Sequence, residues 1–205
     1  MITIHGRKLS RAGRVLWTLE ELGIDYRHVP TDPFSGGSRT PEHLALNPMG
    51  KVPVLVEGDF VLPESIAIND YLARGTWLLP DDRAVQARVL QWTSWAITEV
   101  EFHFTSIVRE QRRSGDETPD QARIDKALAA LADTMGALET WLANGNAHVA
   151  GAEFSVGDIN AAFPIAGVAG RIDMGALPRT AEWLARCTGR EAWQRVLAKE
   201  EALAA

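Results

Sequence analysis

The spacing of apolar residues changes character once along the chain, near residue 75. Before that point, short apolar runs alternate with amphipathic stretches. Ile2 and Ile4 alternate with polar neighbours, the pattern of a strand over Met1–His5. After Ser10, the residues Val15, Leu16, Leu19 and Leu22 fall on one face of a helix, and Gly23 stops it. Tyr26–Val29 reads as a second strand, expected to lie parallel to the first because a helix crosses between them. Thr31–Thr40 is a Gly-, Pro- and Ser-rich loop, and Pro41–Leu46 a short helix. Val54–Val56 and Phe60–Leu62 flank the turn Glu57-Gly58-Asp59 as a hairpin. Pro63 ends the second arm. Ser65 is expected to cap a helix carrying Ile66, Ile68 and Leu72. Residues 1–75 thus predict an α/β domain with a four-stranded mixed sheet and helices on its faces.

A linker over residues 76–83 follows, and beyond it only helical periodicity is present, so residues 84–205 predict an all-helical domain. Its helices are expected over Ala84–Arg113, with Leu90, Trp92, Trp95, Val100 and Phe104 inward, and over Asp120–Leu142, Ser155–Val168, Arg179–Cys187 and Glu191–Leu203. Ser114–Pro119 is a break, and the alanine-rich end is expected to fray. Ser155 and Asp158 are spaced as a capping box, a structural device without chemistry. Replacing Asp158 by Ala is expected to cost about 0.5–2 kcal/mol, the usual loss for a cap.

Composition narrows the function classes. The 205 residues are 46% hydrophobic and 23% charged, as in a soluble globular protein. A net charge of −6, with no unbroken basic run, argues against nucleic acid. No apolar run is long enough to span a membrane. One cysteine, Cys187, gives no disulfide framework and fits a reducing cytoplasm; a small buried side chain is its simplest role. The five histidines are scattered, and Glu99 and His103, one turn apart, have no third ligand at metal spacing, so no metal is expected. Neither a Gly-x-Ser-x-Gly elbow nor a P-loop occurs. Trp92 and Trp95 read as core bulk, with the lining of an apolar pocket as a second reading.

Two features of Asn47–Tyr71 exceed what folding needs. Val52-Pro53 opens a strand with a proline, and a cis bond is expected there to make a sharp turn. Glu64-Ser65 stands at a helix start, where backbone N–H groups and the helix dipole attract a carboxylate. Together they suit a small peptide, its backbone pairing with residue 52 and its carboxylate at Ser65.

The motifs Asn47-Pro48-x-Gly50-Lys51-Val52-Pro53 and Glu64-Ser65-x-Ala67-Ile68 resemble the glutathione-binding half of the glutathione S-transferases. Phe154-Ser155-Val156-Gly157-Asp158-Ile159, with Trp183, Arg190 and Trp193, resembles their helical half, so the resemblance covers nearly the whole chain. It implies a thioredoxin-like N-terminal domain, glutathione as co-substrate with no other cofactor, a small and mainly apolar electrophile, and a homodimer. Glutathione would be held by Lys51 at its glycyl carboxylate, by Val52 and Pro53 along its cysteinyl backbone, and by Glu64 and Ser65 at its γ-glutamyl end. Glu64 repels a carboxylate, so its partner would be the ammonium group. Lys51 also reads as a solvated charge.

The chemistry of that family is activation of the glutathione thiol, for conjugation or for isomerisation or dehalogenation. A free thiol titrates near 8.5, and lowering it by roughly two units takes about 2.7 kcal/mol. The family supplies a Tyr, Ser or Cys after the first strand. From Met1 to Asp25 the chain has no Tyr and no Cys, and its hydroxyls are Thr3, Ser10 and Thr18. Thr3 is inside the strand and Thr18 is two turns into the helix, which leaves Ser10 as the catalytic candidate; a plain helix cap is its other reading. The spacing to Arg14 and to Leu19–Gly23 resembles serine-type, bacterial-like members, while Gly13 departs from relatives with a second hydroxyl there. A non-catalytic binding or regulatory module on the same fold is the alternative. A disulfide reductase is disfavoured, since no cysteine precedes Cys187.

Overall fold

The computed structural model describes residues 1–111 and 118–199. The helix ends expected at Arg113 and Leu203, the break from Ser114 to residue 117 and the fraying end lie outside the described residues. By contacts the chain forms two units: residues 1–80 with those from Gly189 on, and Asp81–Thr188.

The first unit is built from β1 (Ile2–His5), α1 (Ala12–Leu22), β2 (Tyr26–Val29), α2 (Pro41–Leu46), β3 (Val54–Glu57), β4 (Phe60–Pro63) and α3 (Ser65–Ala73). The sheet order is β2-β1-β3-β4. β1 runs parallel to β2 and antiparallel to β3, and β3 pairs antiparallel with β4. This is the mixed sheet implied by a β-α-β opening followed by a hairpin. The apolar positions of the strands and helices meet in one core: Ile4, Val15, Leu16, Leu19, Val54, Leu55 and Ile68 are fully buried. Gly23 stops α1 at φ 64°, and Ile24 N–H donates to the Leu19 carbonyl, closing the helix end.

The second unit holds α4 (Arg83–Trp95), a π-helical turn over Ala96–Glu101, α5 (Phe102–Gln111), α6 (Gln121–Ala143), α7 (Val156–Val168) and α8 (Pro178–Thr188). Leu90, expected inward, is 65% exposed. The buried stripe of α4 is Val89, Trp92, Thr93 and Ala96, at helical spacing, and Leu90 lies about 100° round from Val89. Trp92 is core, its ring 5.1 Å from Trp95 and 5.8 Å from Trp141. The remaining helix, α9 (Glu191–Ala198), belongs with the first unit, because Trp193 packs on Trp17 of α1 with ring centres 4.9 Å apart.

Ser155 and Asp158 form the reciprocal capping box of α7. Asp158 does more than cap. Its carboxylate accepts from Ser155 N and Oγ, Val149 N, His148 Nδ1 and Trp183 Nε1, at 2.8–3.1 Å.

Another carboxylate caps α8 from outside. Glu139 on α6 accepts from Arg179 N, Thr180 N and Thr180 Oγ1 at 2.8–3.0 Å. Burial, the largest influence, pushes this carboxyl up, but the two backbone donors, the hydroxyl and the Arg179 charge together leave it below the ordinary carboxylate value. A carboxyl depressed on folding adds stability that is present above its unfolded pKa and lost as pH falls through its folded one. Glu139→Gln is therefore expected to cost about 1 kcal/mol at neutral pH. In thermal melts, its difference from the parent should shrink below about pH 4.3. An equal difference at pH 7 and pH 3.5 would show that the carboxylate charge is not what holds α8.

Candidate active site

The sheet register brings the sequence motifs to one place. His5 of β1 pairs with Val54 of β3, and Val54 pairs with Pro63 of β4. These residues form one row across the sheet end. The segments leaving that row are Gly6–Arg11 after β1, Lys51–Pro53 before β3 and Glu64–Ser65 after β4. Parts of the chain up to 58 residues apart in number thus converge because their strands end together.

Gly6 permits the close approach. It sits at φ +140°, and a Cβ there would lie 2.6 Å from that of Ala12 and 3.2 Å from that of Val52. The loop of Ser10 and the Val52 strand entry therefore touch. The Val52-Pro53 bond is cis, as the motif led us to expect.

Ser10 stands at the turn between β1 and α1. Its hydroxyl donates to the Arg7 carbonyl at 2.7 Å, and its oxygen accepts from Ala12 N at 3.2 Å. α1 opens one residue later than expected, with Arg11 at the cap position and no side-chain cap bond there. The other hydroxyls are committed elsewhere. Thr3 is buried within β1, and Thr18, also buried, donates to the Arg14 carbonyl at 3.0 Å. Arg14 is buried inside α1; desolvation and then the charge of Arg11 push its guanidinium down to about 9.

The Lys51 carbonyl, just ahead of Val52, is clamped from two sides. His43 Nε2 and Asn47 Nδ2 both donate to it at 3.0 Å. Sequence reasoning gave His43 no role, and Asn47 only a place in a motif. His43 lies on α2 and Asn47 at its C-terminal cap, and no local spacing in the sequence reports their shared acceptor. The Lys51 side chain is exposed. Arg39 lies beside it, its guanidinium so near Gly50 that a Cβ there would be 2.6 Å from it. Two cations therefore flank this end of the site.

Glu64 is the one non-glycine described residue with positive φ, at 74°. Backbone held in that region costs on the order of 1–3 kcal/mol and gathers at functional sites. Ser65, expected as the cap of α3, is instead its first residue and is buried. Glu64 occupies the cap position without a side-chain cap bond. With no side-chain cap at Glu64, the first N–H groups of α3 are offered where the chain leaves β4.

Among the described residues, His148, Asp158 and Cys187 place potential metal-ligand atoms within 4.8 Å of one another. The Asp158 carboxylate there already accepts five protein donors, so the cluster reads as hydrogen-bonded core. No described helix is long and apolar enough to cross a membrane.

Residues 1–74 match the model of the glutathione S-transferase N-terminal domain, and residues 96–191 that of the C-terminal domain. Glutathione S-transferase 3 of Zea mays is 35% identical over 96% of this chain and 93% of its own length. Glutathione S-transferase GstB of Escherichia coli is 36% identical over 78% of this chain and 79% of its own. The theta class glutathione S-transferase of Xanthomonas axonopodis pv. citri, solved with glutathione bound, superposes with a TM-score of 0.86. It is 33% identical, covering 97% of this chain and 98% of that one. The fold is thus that of a thioredoxin-like domain followed by a helical domain, and the chain belongs to the glutathione S-transferase family. It is a glutathione transferase enzyme.

Proposed function

We propose that this transferase is of the serine type and activates the glutathione thiol at Ser10 for attack on a small, mainly apolar electrophile. The observation that carries the reading is that the segments bearing Ser10, Val52 and Glu64-Ser65 all leave one row, His5–Val54–Pro63, at the sheet end. Each part meets one part of the tripeptide. The first N–H groups of α3, with the Ser65 hydroxyl, receive the γ-glutamyl carboxylate, and Glu64 pairs with the γ-glutamyl ammonium. Val52, presented by the cis-Pro53 turn and by the clamped Lys51 carbonyl, pairs with the cysteinyl backbone. Lys51 meets the glycyl carboxylate. The thiol then faces the Ser10 turn and the start of α1. The Ser10 hydroxyl must turn from the Arg7 carbonyl to the sulfur, exchanging one acceptor for a charged and stronger one.

A homodimer and a reducing, cytoplasmic setting complete the proposal. Phe60 and Tyr71 form an exposed aromatic pair 5.2 Å apart on the edge strand β4 and on α3, and Trp77 is 52% exposed. Exposed aromatic side chains of this size fit a second copy better than water.

The test is retention on immobilised glutathione, then incubation of the eluted, sized protein with glutathione and a panel of apolar electrophiles. Retention with conjugation is the expected result, in a particle of twice the chain mass. Retention without turnover on any electrophile would favour a binding module, and failure to be retained would remove the site assignment itself.

A further inference from the structure

The loop that carries Ser10 is tied at a second point, by the far end of the chain. Lys8 Nζ donates to the Leu197 carbonyl at 2.7 Å and to the Lys199 carbonyl. These are among the last carbonyls of α9, which have no partner within their own helix and carry the negative end of its dipole. An ammonium is the group that suits them.

The far side of this tie is fixed to α1. Arg190 reaches Glu21 through two bonds, Nε to Oε1 at 2.6 Å and Nη2 to Oε2 at 2.8 Å. Arg195 Nε meets Glu20 Oε2 at 2.8 Å, and its Nη2 donates to the Glu20 carbonyl at 3.0 Å. Lys199 Nζ lies 3.1 Å from Glu20 Oε1 and 5.0 Å from the centre of the Tyr26 ring. Trp193 and Val196 are buried beneath these charges. The carbonyls that hold Lys8 therefore belong to a fixed frame.

The near side is one closed turn. Ser10 N and Ser10 Oγ both donate to the Arg7 carbonyl, at 2.9 and 2.7 Å. Arg7 Nη1 in turn meets Asp32 at 3.3 Å. Lys8 lies inside this turn, so a pull on Lys8 sets the direction of the Arg7 carbonyl and of the Ser10 hydroxyl together.

We propose that Lys8 is a positioning residue for thiol activation, and that the C-terminal end of α9 works through it to hold the Ser10 turn. The inference rests on the assignment of Ser10 as the activating hydroxyl. It makes α9 part of the catalytic frame, although none of its residues touches the reacting sulfur in this scheme.

Lys8→Met keeps the aliphatic stem and removes the donor, and Lys8→Arg restores a cation. The readouts are thiolate absorbance of the glutathione complex against pH, the kcat and KM for glutathione, and the melting temperature. Lys8→Met is expected to raise the bound thiol's pKa by about half a unit or more. It should lower kcat near neutral pH roughly three- to tenfold, with KM changed less than about twofold. Lys8→Arg should recover most of this. In a Ser10→Ala background, Lys8→Met should shift the thiol no further, since its effect runs through Ser10.

A lower melting temperature with an unchanged thiol titration would make Lys8 a helix cap only and overturn the proposal. An equal shift with and without Ser10 would overturn it differently, showing that the ammonium acts on the thiolate by charge alone. If Ser10→Ala alone leaves the titration unchanged, the Ser10 assignment fails first. Should Lys8→Met not fold, Lys8→Ala, which also removes the donor, is read in the same way.

Discussion

Replacing Asp158 by Ala is expected to destabilise the protein by about 3–5 kcal/mol, beyond the range for a helix cap. The carboxylate is fully buried and gathers donors from three parts of the second unit: the α7 start, the loop at His148–Val149, and Trp183 on α8. Removing it leaves Ser155 N, Val149 N and Trp183 Nε1 without their acceptor in a dry interior. Each such group costs about 1–3 kcal/mol when unpaired, though neighbouring losses do not simply add. For a chain of this size the melting temperature should fall by roughly 10 °C. Trp183→Phe removes one donor and leaves the carboxylate its others, so it should cost much less, about 1 kcal/mol. Thermal unfolding of both variants checks the ordering. A loss under 1 kcal/mol for Asp158→Ala would mean that the network relaxes onto other acceptors. Glutathione affinity, measured where the variant is folded, is expected to hold.

This site shows what the sequence made legible and what it hid. The spacing of Ser155 and Asp158 announced a capping box, because a cap is local and its partners are three residues apart. The other donors come from residues 148, 149 and 183, and no local spacing reports them. The same distinction runs through the first unit. Strands, the hairpin and the cis-Pro53 turn follow from neighbouring residues and were read directly. The His5–Val54–Pro63 row needs the pairing register, yet its consequence was legible, because the motifs that meet there are individually distinctive. The clamp of His43 and Asn47 on the Lys51 carbonyl was not. A histidine on a short helix has many uses, and only the fold selects this one. Leu90 misled for a simpler reason. Its neighbour Val89 is as apolar, and a one-residue shift of phase moves the buried stripe by about 100°. The partners of α9 were hidden too, since the ion pairs of Arg190 and Arg195 with Glu21 and Glu20 join residues 169 and 175 apart.

Ser10→Ala is expected to cut turnover at least about tenfold, equivalent to roughly 1.4 kcal/mol of transition-state stabilisation. The argument begins with position. Ser10 lies on the turn that leaves the sheet row shared by Val54 and Pro63, whereas Thr3 and Thr18 are buried in β1 and α1. It continues with chemistry. A hydroxyl donating to a thiolate forms a charge-assisted bond, worth more than its present bond to the neutral Arg7 carbonyl. The hydroxyl is thus better used with the thiol ionised than with it protonated, and that difference lowers the thiol pKa. Removing it should raise the pKa of the bound thiol, so the rate lost is greatest at neutral pH and recovers as pH rises toward about 9, where the thiol ionises unaided. Binding should change little, because γ-glutamyl, cysteinyl backbone and glycyl contacts lie on Glu64-Ser65, Val52 and Lys51. The Ser10 oxygen also accepts from Ala12 N, so the variant should lose about 0.5–1 kcal/mol of stability from the α1 start. A Ser10→Thr variant, which keeps the hydroxyl, should retain the depressed thiol pKa. The decisive measurement is thiolate absorbance against pH in the parent, Ser10→Ala and Ser10→Thr complexes. Identical titrations in all of them would reduce Ser10 to a turn residue and pass thiol activation to the backbone amides of α1 or to Arg11.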